Sequence, residues 1–143
     1  PPLTSVPLEV GELNFEVHCT PGHTPGHVTL IGHGVIVSGD CMFLGRCGRT
    51  DLFGGDMHAM WESLMHLNLR LSQLSGDWLV LPGHQYAVAD GSTPTYTTVK
   101  ELLTSNPAIA RQSFEEFSKL EFLSFDDSMA EKARRERARS SRI

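Results

Sequence analysis

The 143-residue sequence predicts a single α/β domain, an α+β layered arrangement with helices on one face of a sheet, on the strength of three observations. Leu13–Cys19 alternates apolar and polar side chains with the period of a half-buried strand. From Asp56 the apolar positions switch to three- and four-residue spacing, which is helical. Short apolar runs recur on both sides of that helix, so strands and helices interleave as they do in layered sheets. A hydrophobic fraction of 40% is enough for a real core.

The elements follow in order. After the strand at Leu13–Cys19, Val28–Ile31 and Val35–Val37 flank Gly32-His33-Gly34 and form a hairpin. Residues 41–55 are glycine-rich and aperiodic, hence a loop. Met57, Met60, Trp61, Leu64, Leu67, Leu71 and Leu74 define one face of a helix, with Asp56 as its cap. Gly76 stands just past the end, where a left-handed residue is expected. Trp78–Leu81 is a buried strand, and Thr97–Ser105 and Ile109–Leu120 are two further helices. Residues 1–125 make up the domain. Residues 126–143 are a charged tail, helical or disordered and solvated. The sheet is small for a complete enzyme, so one of its faces or edges is expected to need a partner.

Composition excludes several classes. The net charge of -5 gives no general attraction to nucleic acid or anionic lipid. No apolar run approaches the roughly 20 residues that span a bilayer. The chain opens on Pro1-Pro2 with no secretory signal, as expected of a fragment or a processed product. Cys19, Cys41 and Cys47 are odd in number and lack a CxxC pair, which argues for a reducing compartment. Cys47, between Arg46 and Arg49, is the most reactive of the three if its cationic neighbours favour thiolate, and otherwise an inert loop thiol.

Three times an apolar strand runs into a glycine followed by a metal-ligand type: Val17 to Gly22-His23, Val35 to Gly39-Asp40, and Leu79 to Gly83-His84. Each glycine permits a sharp turn at the strand end, where ligands converge in layered α/β proteins. Two imidazoles and a carboxylate suit zinc, iron or manganese, and Asp40 has the two oxygens needed to bridge a metal pair. Any one of these positions alone reads as an ordinary turn residue; the threefold repetition makes His23, Asp40 and His84 the candidate ligands. His27, four residues after His23, reads as a hydrogen-bonding support more than as a ligand. His18, His33, His58 and His66 read as structural.

The run Thr20-Pro21-Gly22-His23-Thr24-Pro25-Gly26-His27, with Ser38-Gly39-Asp40 and Gly48-Arg49-Thr50-Asp51, resembles the metallo-β-lactamase superfamily. Within it the sequence is similar to the branch of glyoxalase II (hydroxyacylglutathione hydrolase) and the persulfide dioxygenases, over about residues 10–120. Leu81-Pro82-Gly83-His84 and Asn106-Pro107 fall where that branch has its last histidine and an Asn-Pro helix start. The resemblance implies the carboxyl-terminal half of an αβ/βα sandwich. It makes His23 a first-site ligand, Asp40 the bridging carboxylate and catalytic organiser, and His84 a second-site ligand. It also implies that Arg49 and Tyr86 hold a glutathione-like thiol; Arg49 paired with Asp51 or Asp56 as a loop brace is the equal alternative.

The family's His-x-His-x-Asp-His motif is absent from this sequence. The chain alone is therefore expected to bind metal weakly and to be inactive, since a tight site needs about four ligands. The complete protein, with the missing amino-terminal half or a homodimer partner, is expected to be a zinc-dependent thioester hydrolase with a two-metal site. The alternatives are an iron-dependent persulfide dioxygenase and a truncated, non-catalytic scaffold. The expected compartment is the cytoplasm, with mitochondria the alternative.

Overall fold

The computed structural model describes residues 5–88 and 90–123, with residues 135 and 138. The charged tail otherwise lies outside the described residues. Six strands form one sheet in sequential order: β1 (Ser5–Val10), β2 (Leu13–Cys19), β3 (Val28–Gly32), β4 (Val35–Gly39), β5 (Leu79–Pro82) and β6 (Thr97–Thr98). Neighbours pair antiparallel except β4 and β5, which run parallel and are joined by a crossover through α1 (Met57–Leu71). Helices α2 (Val99–Ser105) and α3 (Phe114–Ser118) follow, then a short 3-10 turn at Glu121–Leu123.

The hairpin forms as expected, with a two-residue turn. His33 (φ 50°) and Gly34 (φ 76°) both adopt positive φ, the requirement of the turn whose twist matches the flanking strands. The His33 ring accepts the Asn14 backbone N–H at 2.9 Å. Asp56 caps α1 by accepting the Ala59 N–H at 2.9 Å.

Four expectations need correction. β1 was not anticipated: all six of its residues are exposed, and Pro7 breaks the strand signal. Thr97-Thr98 pairs with β5, and Thr98 caps α2, so that helix begins two residues later than expected. The helix at Ile109–Leu120 is only Phe114–Ser118, started by a Ser113–Glu116 capping box; Ala108 and Ile109 are buried in the turn before it. Finally, α1 stops at Leu71 with Ser72 in right-handed conformation, so Gly76 is not a left-handed cap. Gly76 instead lies close against α2, where a Cβ would stand 3.0 Å from the Lys100 Cβ, a tight contact.

The two sheet faces differ sharply. Ile31, Ile36 and Val80 point into a core completed by Met60, Leu64, Leu67 and Leu71 of α1, with Val99, Leu102, Ile109, Phe117 and Leu123. Polar ties lock α1 to β2: Arg70 grips Glu16 through two hydrogen bonds (2.9 and 2.6 Å), and His66 meets the buried His18 at 2.9 Å. The opposite face carries Val6, Leu8, Val10, Leu13, Val17, Val28, Leu30, Val37 and Leu81, paired across strands and without any covering element among the described residues. Val6 is 56% and Val10 54% exposed. A strand apolar on both faces is the pattern of a sheet packed on both sides. No described helix is long and apolar enough to cross a membrane.

Candidate metal centre

The ends of β4 and β5 and the loop after β2 bring His23, Asp40 and His84 together. The His23 Nε2 stands 3.2 Å from Asp40 Oδ2, and the His84 Nδ1 stands 2.7 Å from Asp40 Oδ1. Close backbone approach makes this geometry accessible. A Cβ on Gly83 would lie 2.5 Å from Asp40 Oδ1, so only glycine leaves room for the carboxylate beside the incoming strand. Gly39 takes φ 50° to turn Asp40 off the sheet end.

Each of the first two groups is oriented from behind. His23 donates Nδ1–H to the Arg49 carbonyl at 2.8 Å, which fixes the tautomer and leaves the Nε2 lone pair facing Asp40. His27 accepts the Asp40 backbone N–H at its Nε2 (3.1 Å) and bonds Thr20 Oγ1 through Nδ1 (2.9 Å). Both of its nitrogens are thus engaged, and burial and the neighbouring His23 lower its pKa, so it stays neutral and supports Asp40. His84 is 61% exposed and donates through Nδ1, leaving Nε2 as the outward acceptor.

The His23 and Asp40 pair fits a shared ion. Ligand atoms about 2.1 Å from one metal stand about 3.0–3.4 Å apart between octahedral and tetrahedral geometry, and the observed 3.2 Å lies within that range. Among the described residues no group of three His, Cys, Asp or Glu side chains is arranged to hold a metal unaided.

The surroundings of the other singled-out residues are as follows. The Arg49 fork closes on Asp51 with Nε and Nη2 contacts of 2.7 and 2.6 Å, and the guanidinium holds the Asp51 carboxyl below its usual range. Cys47 is not the reactive thiol: it is 2% exposed, and burial pushes its pKa to about 12 despite Arg46. Tyr86 packs on Phe43 (ring centroids 5.0 Å), which also meets the His84 ring edge-on at 5.7 Å. Sequence reasoning missed Asn106 as a tether: its Nδ2 donates to the Phe43 and Arg46 carbonyls at 2.8 and 3.2 Å. The Asn-Pro pair signalled a turn, but nothing local indicates a partner some 60 residues away.

An imidazole and a carboxylate gathered at the edge of a sheet with one helical and one bare apolar face are the outline of part of an α/β sandwich with a candidate metal site. The chain belongs to the metallo-β-lactamase superfamily, whose family model matches residues 2–84. It is 40% identical over 96 residues to a hydroxyacylglutathione hydrolase of Tolumonas auensis, covering 67% of this chain and 32% of that protein. It is 34% identical over 115 residues to the human mitochondrial persulfide dioxygenase ETHE1, covering 79% of this chain and 42% of that protein. The crystal structure of ETHE1 from Myxococcus xanthus superposes with a TM-score of 0.67 at 28% identity, covering 90% of this chain and 54% of that one. The chain thus spans less than half the length of these two curated relatives. Both relatives are enzymes, one a hydrolase and one a dioxygenase.

Proposed function

We propose that the complete protein containing this chain is a single-iron persulfide dioxygenase acting on a glutathione-like persulfide, in preference to the two-zinc thioester hydrolase that the sequence ranks first. The observation that carries this reading is the division of the Asp40 carboxylate. Oδ2 faces His23 Nε2, while Oδ1 accepts a hydrogen bond from His84 Nδ1–H. A carboxylate so divided serves one metal and one hydrogen-bond donor, whereas a bridging role needs both oxygens for metals. The Arg49–Asp51 fork bears equally on both readings, since a guanidinium engaged by an internal carboxylate is a poor anchor for a substrate carboxylate.

On this reading His23 Nε2 and Asp40 Oδ2 hold the iron together with ligands from an amino-terminal His-x-His-x-Asp-His segment. Bound there, iron would supply an open coordination position for oxygen, while the electrons that reduce oxygen come from the persulfide's outer sulfur, which leaves as sulfite. The chain's own residues do the positioning. The Arg49 carbonyl keeps His23 in the metal-binding tautomer, His27 holds the Asp40 backbone, and His84 restrains the Asp40 carboxylate. Phe43 and Tyr86 wall the approach. The amino-terminal half would also cover the bare apolar sheet face.

The hydrolase remains the second reading, favoured by the 40% identity to a hydroxyacylglutathione hydrolase. There His84 would turn to a second metal, with zinc activating water for attack on S-lactoylglutathione. Metal content and turnover of the complete protein separate the two. One iron per chain with oxygen uptake on glutathione persulfide supports the dioxygenase; two metals with thioester cleavage and no oxygen uptake refutes it. His84→Ala is expected to keep one metal per chain, whereas His23→Ala is expected to lose it.

A further inference from the structure

We infer that Arg46, rather than Arg49, is the residue that recognises the substrate's carboxylate, and that the cleft beside it takes the α-amino-acid end of a peptide thiol. This rests on the proposed action on a glutathione-like thiol and names the part of the protein that would select it.

The geometry begins at the metal site and leads outward. The His84 ring meets Phe43, Phe43 meets Tyr86, and the Arg46 guanidinium lies over the Tyr86 ring with Cζ 4.6 Å from the centroid. Phe122 flanks the same guanidinium at 5.5 Å, and its carbonyl accepts Nη2–H at 3.3 Å. Stacking on aromatic faces fixes the plane of the fork while leaving its in-plane N–H groups available. Among the described residues no carboxylate pairs with Arg46, in contrast to Arg49, which grips Asp51. A guanidinium held flat, half-buried and without a carboxylate partner among the described residues is prepared for one from a ligand.

Arg46 lines a cleft of about 770 Å³ between the loop at residues 44–46, residues 87–88 and 90–97, and α2, a volume in the range of small-molecule sites. Tyr96 and Phe122 supply apolar wall, and Asp90 and Glu101 add negative charge. One cation facing two anions suits a group carrying both a carboxylate and an ammonium, and disfavours a dianion. The γ-glutamyl end of glutathione has that chemistry. Its thiol would then reach back along Tyr86 and Phe43 toward the metal ligands.

The test is direct binding to the complete protein by calorimetry, which needs no turnover. The probes are S-hexylglutathione, the same compound with its glutamyl α-carboxylate converted to a carboxamide, and its glycyl monoester. Wild type is expected to bind the carboxamide about 10-fold more weakly than the parent, as loss of a charge-assisted hydrogen bond implies. Arg46→Met, which keeps the apolar stem, is expected to lose about the same factor on the parent and to bind parent and carboxamide equally. Arg46→Lys, which keeps the charge without the fork, should fall between. Equal weakening of parent and carboxamide by Arg46→Met overturns the assignment, as does loss of discrimination only at the glycyl ester. Discriminating binding without persulfide oxidation would refute the proposed reaction and leave the anchor standing. Failure to bind S-hexylglutathione at all would refute the anchor.

Discussion

Replacing Asn106 by alanine tests whether the loop bearing Phe43 and Arg46 is held from across the domain. Asn106 is 2% exposed; its Nδ2 donates to the Phe43 and Arg46 carbonyls and its Oδ1 accepts the Ala108 N–H at 2.9 Å. The Arg46 carbonyl keeps a second partner, the Phe43 N–H at 2.8 Å. The Phe43 carbonyl and the Ala108 N–H lose the partner that Asn106 gives them in a dry setting. At about 1–3 kcal/mol for each orphaned buried group, the expected loss is about 3–4 kcal/mol. At about 2–4 °C per kcal/mol, that corresponds to a fall in Tm of about 10 °C. Asn106→Asp keeps the acceptor and the shape but sets carboxylate oxygens against two carbonyls. Burial there raises the folded-state pKa above the unfolded value of about 3.9, so the acid is destabilising at pH 7 and the penalty shrinks as pH falls and the carboxyl gains a donor proton. Thermal unfolding of the complete protein, each variant against wild type at each pH, measures both effects. A Tm change under about 3 °C for Asn106→Ala, or an aspartate variant as stable as wild type at pH 7, refutes the tether.

Three further outcomes are expected. Gly83→Ala places a methyl 2.5 Å from Asp40 Oδ1 and should weaken metal affinity about 10–100-fold; metal retained at wild-type affinity after dialysis against a chelator would disprove the packing argument. Arg70 holds the Glu16 carboxyl down to a pKa of about 2, against an ordinary value of 4.5. Because the folded value is the lower one, this contribution is fully present above pH 4.5 and lost as pH falls from there toward 2. With Glu16 39% exposed its size is about 1 kcal/mol after solvent screening, so the stability gap between wild type and Glu16→Gln in urea titrations should narrow as pH falls from 4.5 toward 2. Cys41 and Cys47 should resist a thiol-specific reagent until the protein is unfolded, and rapid labelling of either under native conditions would contradict their burial.

Much of the site was legible because its signal is local and repeated. A strand, a glycine and a ligand-type side chain occur three times, and the structure brings His23, Asp40 and His84 to one point. The turn at His33-Gly34 and the apolar stripe of α1 were legible for the same reason. What escaped depends on distance along the chain. β1 has no buried face of its own, so its register exists only through pairing with β2. β6 is two residues long, and Thr97-Thr98 carries a helix-cap signal that masks it. Ile109 is buried because Asn68 of α1 donates to its carbonyl and the core closes over it, and no periodicity encodes that. The pairing of Arg49 with Asp51 likewise rests on side-chain geometry that a sequence leaves open.

The bare face of the sheet has a thermal consequence. Its exposed side chains, Val6, Leu8, Val10, Leu13, Val28, Val37 and Leu81, are aliphatic, so whatever seats against them is held chiefly by release of ordered or confined water. Such a contact carries a large negative heat-capacity change, loosens on cooling and tightens in sulfate. On the proposed reading, in which the amino-terminal half covers this face, that joint should therefore open first near 0 °C, while the Arg70–Glu16 and His18–His66 ties on the other side hold α1 in place.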